Sequence, residues 1–325
     1  MRMNIALIDA DWVAREKMTF PNVPLMKLSA WYKAQGHHVE WYDASKHYDL
    51  CYIAKVFGDE YTPDISDPIN AEVVVRGGSG YAIKIVDSKE VYDHDADHNL
   101  PPGIDHIYPD YDLYGITDTA YGFLTKGCPR NCPFCHVGKM QGCKVYTFAH
   151  LDEFWRGQKN IKLLDPNLTA SRDYFEHMAE LAESRASIDF TQGLDARVMT
   201  VEKIKALNDV KWKRIHFAWD RPKDNLEPIF ERIAEHLNRC NKNYVSAYVL
   251  TNFDSTFEQD LYRVTTLRRL NIQPYVMIYR KQTAPHELKM LQRWCSPFIF
   301  WKCDSFEDYK GSFKNDKPGR PKKQK

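Results

Sequence analysis

Short apolar runs alternate with helix-period stretches along most of this 325-residue chain, and that alternation predicts its fold. Asn4 to Asp9 reads as a buried strand, Pro21 to Gln35 as an amphipathic helix closed by Gly36, and His38 to Tyr42 as a second strand. Together they predict a β-α-β unit. A further strand over Ala71 to Arg76 runs into Gly77-Gly78-Ser79-Gly80, a glycine run at the carboxyl end of a strand, where parallel sheets place ligands. The same glycines would also serve a plain turn. From Tyr121 onward, strand-like runs fall at Tyr121 to Thr125, Ile161 to Leu164, Ile188 to Thr191, Arg214 to Ala218, Tyr244 to Leu250 and Gln273 to Ile278. Helical stretches such as Asp173 to Ser184, Asn225 to Asn238 and Thr256 to Leu270 intervene, and Pro285 to Trp294 follows the last strand. Six strand-helix repeats predict an α/β fold, a parallel sheet curved into a partial (β/α)6 barrel with its chemistry at the carboxyl ends of the strands. The expected organisation is an α/β unit at 1–100, a Pro- and Tyr-rich linker at 101–120, the barrel at 121–305 and a basic, disordered tail at 306–325.

Composition adds bounds. Hydrophobic residues at 43% suffice for a packed core, and no apolar run approaches the length of a bilayer span. The apolar stretch near the N-terminus is too short for a signal peptide, so a soluble protein of the reducing cytoplasm, without disulfides and without a membrane partner, is expected. The formal charge of +1 hides an asymmetry: Lys310 to Lys325 holds seven basic residues against Asp316, which leaves the other 309 residues near −5. This argues against a broad phosphate-binding surface on the folded body, so any nucleic-acid contact would have to be local. In the tail, Lys317-Pro-Gly-Arg-Pro-Lys-Lys323 is like the short basic arms that enter an A·T-rich minor groove. The acidic stretch from Asp59 to Asp112 is expected to be solvated, including Asp93-His-Asp-Ala-Asp-His98, whose alternation could supply metal ligands but reads better as a turn.

The chemistry is concentrated in Lys126-Gly-Cys-Pro-Arg-Asn-Cys-Pro-Phe-Cys-His136. Cys128, Cys132 and Cys135 are spaced C-x3-C-x2-C, which offers three thiolates to one metal centre and withholds a fourth. An iron-sulfur cluster held in this way keeps one iron open to a small molecule. A structural zinc site wants four closed ligands, and the fourth would have to be the adjacent His136 or Cys143.

With Phe134 as its aromatic, this run resembles the signature of radical S-adenosylmethionine (SAM) enzymes, and the resemblance extends from about Tyr121 to Trp294. It implies that the three cysteines are metal ligands for a 4Fe-4S cluster. It further implies that the open iron takes the amino and carboxylate groups of SAM, and that one electron cleaves SAM to methionine and a 5'-deoxyadenosyl radical. Stretches after the strands are similar to the family's SAM-binding segments: Leu164-Asp-Pro-Asn-Leu168, which brings Asp165 and Asn167; Gln192-Gly-Leu-Asp-Ala-Arg197, which brings Gln192, Asp195 and Arg197; and Tyr248-Val-Leu-Thr-Asn252, which brings Asn252. Phe134 would lie beside adenine through its backbone, and Arg197 would pair with a carboxylate. The first hundred residues look like the Rossmann-like cobalamin-binding domain that precedes many radical SAM domains, through Gln35-Gly-His-His-Val39 and the pair Gly77 and Gly78. That domain's D-x-H-x-x-G motif, whose histidine ligates cobalt, is absent, so cobalamin and cobalamin-assisted methylation enter as an option. The implied partners are a reductant such as flavodoxin or ferredoxin and a substrate that no residue identifies. A different class of function, a non-catalytic zinc module holding nucleic acid through the basic tail, would use the same cysteines.

Overall fold

The computed structural model describes residues 2–15, 20–87 and 89–313. The chain divides into two compact units, Met1–Ile188 and Asp189–Lys325.

The first unit opens with a parallel sheet of β1 (Asn4–Asp9), β2 (His38–Trp41), β3 (Tyr48–Ala54) and β4 (Ala71–Gly77) in the order β2-β1-β3-β4. The short α1 (Ala10–Ala14) leaves β1, and α2 (Val23–Ala34) carries the chain toward β2. Asn22 caps α2 by accepting a hydrogen bond from the Leu25 amide, with Pro24 in the first turn, and Gly36 at φ +82° ends it. Leu25 and Leu28 of α2 bury against Ile5, Leu7, Val39 and Ala54. The other face, formed by Ala6, Ile8, Tyr48, Cys51 and Ile53, is met by Ala10 of α1 and by Ile65, Val74 and Tyr81. The connections from β2 to β3 and from β3 to β4 run as loops, and Ile65 is one of the residues packed there. A cavity of about 700 Å³ consequently stays open by the carboxyl ends of β1 and β2, walled by Trp12, Trp41, Tyr42 and Ile65. Strand β3 went unpredicted. It is an inner strand, apolar on both faces after Asp49, and so lacks the alternation that marks half-buried strands.

After the glycine run come α3 (Ser79–Ala82) and an antiparallel hairpin of β5 (Ile83–Val86) and β6 (Lys89–Tyr92). Asp93 caps the turn at His94–Ala96, so the Asp-His alternation forms a local turn. The segment expected as a linker is a packed strap. It contains α4 (Pro102–Asp105), and its acids find the lysines of α2: Asp105 pairs with Lys27 at 3.1 Å, and Asp110 accepts from Ser29 and Lys33 at 2.6 Å each. Tyr114 donates to Asp9 at 2.7 Å, and Trp41 donates to the Leu113 carbonyl at 2.9 Å. The tyrosine rings and acids of this segment fasten it within the first unit.

Next are β7 (Thr119–Gly122), β8 (Thr125–Lys126), α5 (Val137–Gln141), β9 (Tyr146–Thr147), β10 (Asn160–Leu163) and α6 (Tyr174–Ser184). Strands β7 and β10 are parallel, and β8 and β9 form a short antiparallel pair.

In the second unit, β12 (Trp212–Ala218) pairs in parallel with β13 (Val245–Thr251), and β13 with β14 (Gln273–Ile278); the short β11 (Ser187–Phe190) lies at the division between units. Helices α7 (Val201–Asp209), α8 (Glu227–His236), α9 (Phe257–Arg269) and α10 (His286–Trp294) alternate with these strands, followed by α11 (Pro297–Phe300) and α12 (Phe306–Phe313). Thr200 caps α7, and a Thr256–Gln259 capping box starts α9. The core is aliphatic and aromatic, with Ile215, Phe217, Phe230, Val249, Leu267 and Trp294 all buried. The expected tail begins later than its charge suggested. Residues 306–313 are helical, and Phe306 and Tyr309 are buried, the Phe306 ring 5.6 Å from that of Trp294. The basic run beyond, 314–325, lies outside the described residues, and so does the nucleic-acid reading attached to it. Among the described residues, no helix is long and apolar enough to cross a membrane.

Candidate functional site

The cysteine loop leaves β8 and returns to β9, and it is tied where it begins and ends. Gly127 has φ +85°, and a side chain there would fall on the Lys144 carbonyl, so glycine is required for the two ends to meet. The Cys128 amide donates to the Gly142 carbonyl at 3.1 Å, and the Gly127 amide to the Gln141 side chain at 3.2 Å. Inside the loop, a turn brings the Cys135 amide to the Cys132 carbonyl at 3.0 Å, with Asn131 in the left-handed region. Cys128, Cys132 and Cys135 are all half-buried, and no disulfide engages them.

The structure brings two of the predicted residues to this loop. Asn167 is buried and donates to Cys128 Sγ at 3.4 Å. Asp165 is also buried, and its carboxylate accepts the Leu124 amide (3.2 Å), the Thr125 amide (2.5 Å) and the Thr125 hydroxyl (2.7 Å). These bonds end β7 and turn the chain into β8, which explains why the predicted strand from Tyr121 to Thr125 is broken in two. Burial pushes the Asp165 carboxyl up to about 6, against the pull of those hydrogen bonds. Asp165 therefore holds the base of the loop. Phe134 sits within the loop, half-buried. Among the described residues, no group of three His, Cys, Asp or Glu side chains is gathered to hold a metal ion.

Gly77 and Gly78 close β4. A side chain at Gly78 would fall on the Lys55 carbonyl, and one at Gly80 on the Phe57 carbonyl. Lys55 is buried beside them, paired with Asp59, its ammonium 4.5 Å from the centre of the Tyr81 ring. The close approach that these glycines permit is between two segments of the chain. A cavity by this sheet lies at Trp12 and Trp41, which no sequence signal marked.

In the second unit, Asp195 accepts from the Arg197 amide at 3.1 Å and pairs with its Nε at 2.7 Å, while Arg197 Nη1 reaches Asp224 at 3.1 Å. Here Arg197, expected to pair with a ligand carboxylate, has two carboxylates of its own. Gln192 is exposed in the turn after β11. Asn252 follows β13 at φ +63° and donates to the Tyr279 carbonyl at 2.7 Å, joining the ends of β13 and β14. Asp220 is a further strand-end candidate, following the fourth apolar run of the sequence. Its Oδ1 is buried without a hydrogen-bond partner, and burial raises the carboxyl to about 6 even with Arg263 nearby. Arg263 itself is fully buried and donates to the carbonyls of Trp219 (2.6 Å), Asp220 (3.0 Å) and Leu250 (2.9 Å). The position of Asp220 two residues past β12, at a carboxyl strand end, was the available signal.

No family model matches the chain. A tRNA-2-methylthio-N(6)-dimethylallyladenosine synthase of Aquifex aeolicus is 27% identical over 177 residues, which is 52% of this chain and 34% of that enzyme. The chain thus spans about a third of the length of the curated relative it matches. Among solved structures, a radical SAM methyltransferase, TsrM from Kitasatospora setae with cobalamin and a [4Fe-4S] cluster bound, superposes with a TM-score of 0.57. That match covers 86% of this chain and 75% of TsrM at 11% identity. The chain is similar in fold to this cobalamin- and cluster-binding radical SAM methyltransferase over most of its length. The three-thiol loop of the first unit lies between β8 and β9.

Proposed function

We propose that this chain is a radical SAM enzyme. The cysteine loop carries the reading: three half-buried thiols outside any disulfide, held on a loop tied at both ends, with Asn167 donating to Cys128. When bound, a 4Fe-4S cluster and SAM would supply one electron and a 5'-deoxyadenosyl radical for hydrogen abstraction from a substrate. Cys128, Cys132 and Cys135 would hold that cluster. Asn167 supplies an N–H to the first thiolate, and such hydrogen bonds to sulfur tune cluster potential. Asp165 and Gly127 keep the loop's two ends together, so the thiols would draw together around the cluster from a loop with fixed ends. Half-burial leaves the loop open on one side to SAM and substrate while removing part of the surrounding water. Asp195, Arg197 and Asn252 build the carboxyl-end surface of the second unit; the Asp195–Arg197–Asp224 set has a net charge of −1 and suits a ligand that presents donors.

TsrM is described with cobalamin bound. In this chain the glycine run is filled by the carbonyls of Lys55 and Phe57, whereas the cavity of about 700 Å³ has room for a bulky apolar group between Trp12, Trp41 and Ile65. Those residues would hold a corrinoid, and no step of the proposed reaction depends on one. Retention of a corrinoid spectrum after anaerobic gel filtration tests that assignment separately.

The main test is anaerobic reconstitution. Four irons per chain, and 5'-deoxyadenosine formed from SAM on reduction, with both lost in Cys132→Ala, support the proposal. Stoichiometric zinc with no SAM cleavage sinks it and returns the chain to the class of metal-binding modules.

A further inference from the structure

Strand β4 ends its sheet: it pairs in parallel with β3 on one side, and among the described residues no strand lies along the other. Every second residue of such an edge strand turns its N–H and C=O away from the sheet. The Tyr48 amide donates to the Asn70 carbonyl at 2.9 Å, so the even-numbered residues from Asn70 onward face β3. Val73 and Val75 are thereby left with their backbone groups pointing outward. Their side chains share the sheet face of Leu50 and Tyr52, their partners on β3, and are 53% and 36% exposed. Soluble proteins usually blunt such edges by keeping them short or by placing charge or proline on them. The opposite edge of this sheet, β2, has four residues and includes His38 and Glu40, and the edge strand β14 carries Pro274. By contrast β4 runs for seven residues, Ala71-Glu-Val-Val-Val-Arg-Gly77, without lysine or proline.

We propose that β4 is a homodimer interface: it pairs antiparallel with β4 of a second copy about a two-fold axis at Val74, joining two four-stranded sheets edge to edge. The strand is complementary to itself in this register. Val73 stands opposite the partner's Val75, and both turn their backbone groups outward, so each such pair exchanges two N–H···O=C bonds and the valines form an apolar ladder. On the other face Val74 meets the partner's Val74, and Glu72 stands opposite the partner's Arg76. Sliding the copies until Glu72 faces the partner's Glu72, or Arg76 the partner's Arg76, sets like charges on the axis and is repulsive. Arg76 already holds Asp67 and donates to the Ile65 carbonyl at 2.8 Å, so its facing Glu72 sets register, while the backbone bonds and the valines supply the affinity. Backbone bonds alone would admit any strand; the self-matching order of charges and valines selects a second copy. The interface does not depend on the radical SAM reading.

The test is sedimentation velocity on the full chain from about 1 to 100 µM, as wild type, V73K/V75K and E72R, with circular dichroism to show that each variant is folded. Wild type should sediment at twice the monomer mass at the upper end of that range, and hydrogen exchange should show the Val73 and Val75 amides losing protection on dilution. V73K/V75K sets lysine against lysine across the ladder at two exposed positions and should raise the dimer dissociation constant about a hundredfold or more. E72R faces the partner's Arg76 and should raise it about tenfold. A wild type that is monomeric at about 100 µM overturns the proposal. So does a dimer that V73K/V75K leaves intact, because the contact then lies elsewhere. If V73K/V75K fails to fold, E72R decides: a weakened dimer supports the β4 pairing, and an unchanged dissociation constant overturns it.

Discussion

Asp165 and Asp220 each stand two residues past a parallel strand, one in each unit, and burial pushes both carboxyls up to about 6. They differ in what they receive. Asp165 accepts two backbone amides and a hydroxyl, and these bonds shape the turn beneath the cysteine loop. Asp220 keeps a buried oxygen with no donor, although Arg263 beside it satisfies three carbonyls. Similar burial and similar shifts therefore describe two different jobs. A perturbed carboxyl marks a ligand site only where its hydrogen-bonding capacity is left over.

The largest effect expected from this contrast is at Asp165. Asp165→Ala strands two amides and a hydroxyl in the interior and should destabilise the protein by about 3 kcal/mol, with poor iron incorporation because the loop base opens. Denaturant unfolding and iron content would show it; an unchanged midpoint would mean that the turn is held by something else. Asp220→Asn should leave the fold nearly intact, within about 1 kcal/mol, because it removes a desolvated charge and keeps an oxygen able to accept from the Leu250 backbone. It should nevertheless weaken SAM binding or turnover about tenfold, the cost of mispairing one buried ligand bond. If affinity and turnover both survive, Asp220 has no part in ligand binding and the contrast collapses.

The smallest effect is in pH. Both folded-state values are raised, so between about pH 4 and 6 the folded protein binds protons that the unfolded chain has released, and the contribution of these groups to stability falls as pH rises. Carboxyls held low by partners, such as Asp105 between Lys27 and Lys126, act in the opposite direction, so the total curve mixes signs. The difference between wild type and Asp220→Asn isolates one group: their melting temperatures should diverge to the disadvantage of wild type from pH 4 to 6 and run parallel above about 7. Parallel curves throughout would show that Asp220 titrates at an ordinary value.

How much of this was legible in the sequence depends on distance along the chain. The barrel strands were read to within a few residues because each is a contiguous apolar run followed by a helical period. The cysteine loop was legible as spacing. Strand β3 was not, since an inner strand shows no alternation, and the hairpin β5–β6 was hidden in an acidic stretch. Arg197 was visible as a strand-end base, but its pairing with Asp224, 27 residues away, was not. The glycines of the run after β4 and Gly127 of the cysteine loop look alike in sequence, and both permit a close backbone approach. Only the loop goes on to present thiols, and that separates a ligand site from a tight junction.

The strap at 101–120 has a practical consequence for dissecting the protein. A cut there, chosen because the composition resembles a spacer, would take Asp105 and Asp110 from the lysines of α2 and leave the Asp9 carboxylate and the Trp41 indole without their hydrogen-bond partners. A fragment beginning at Tyr121 would also lose Glu90, whose carboxylate lies 3.2 Å from His136 Nε2, and Tyr92, which stacks on that ring, so it would carry all three cysteines and none of the support for His136. The motif alone is thus a poor unit to express: the smallest piece that preserves its surroundings begins with β1.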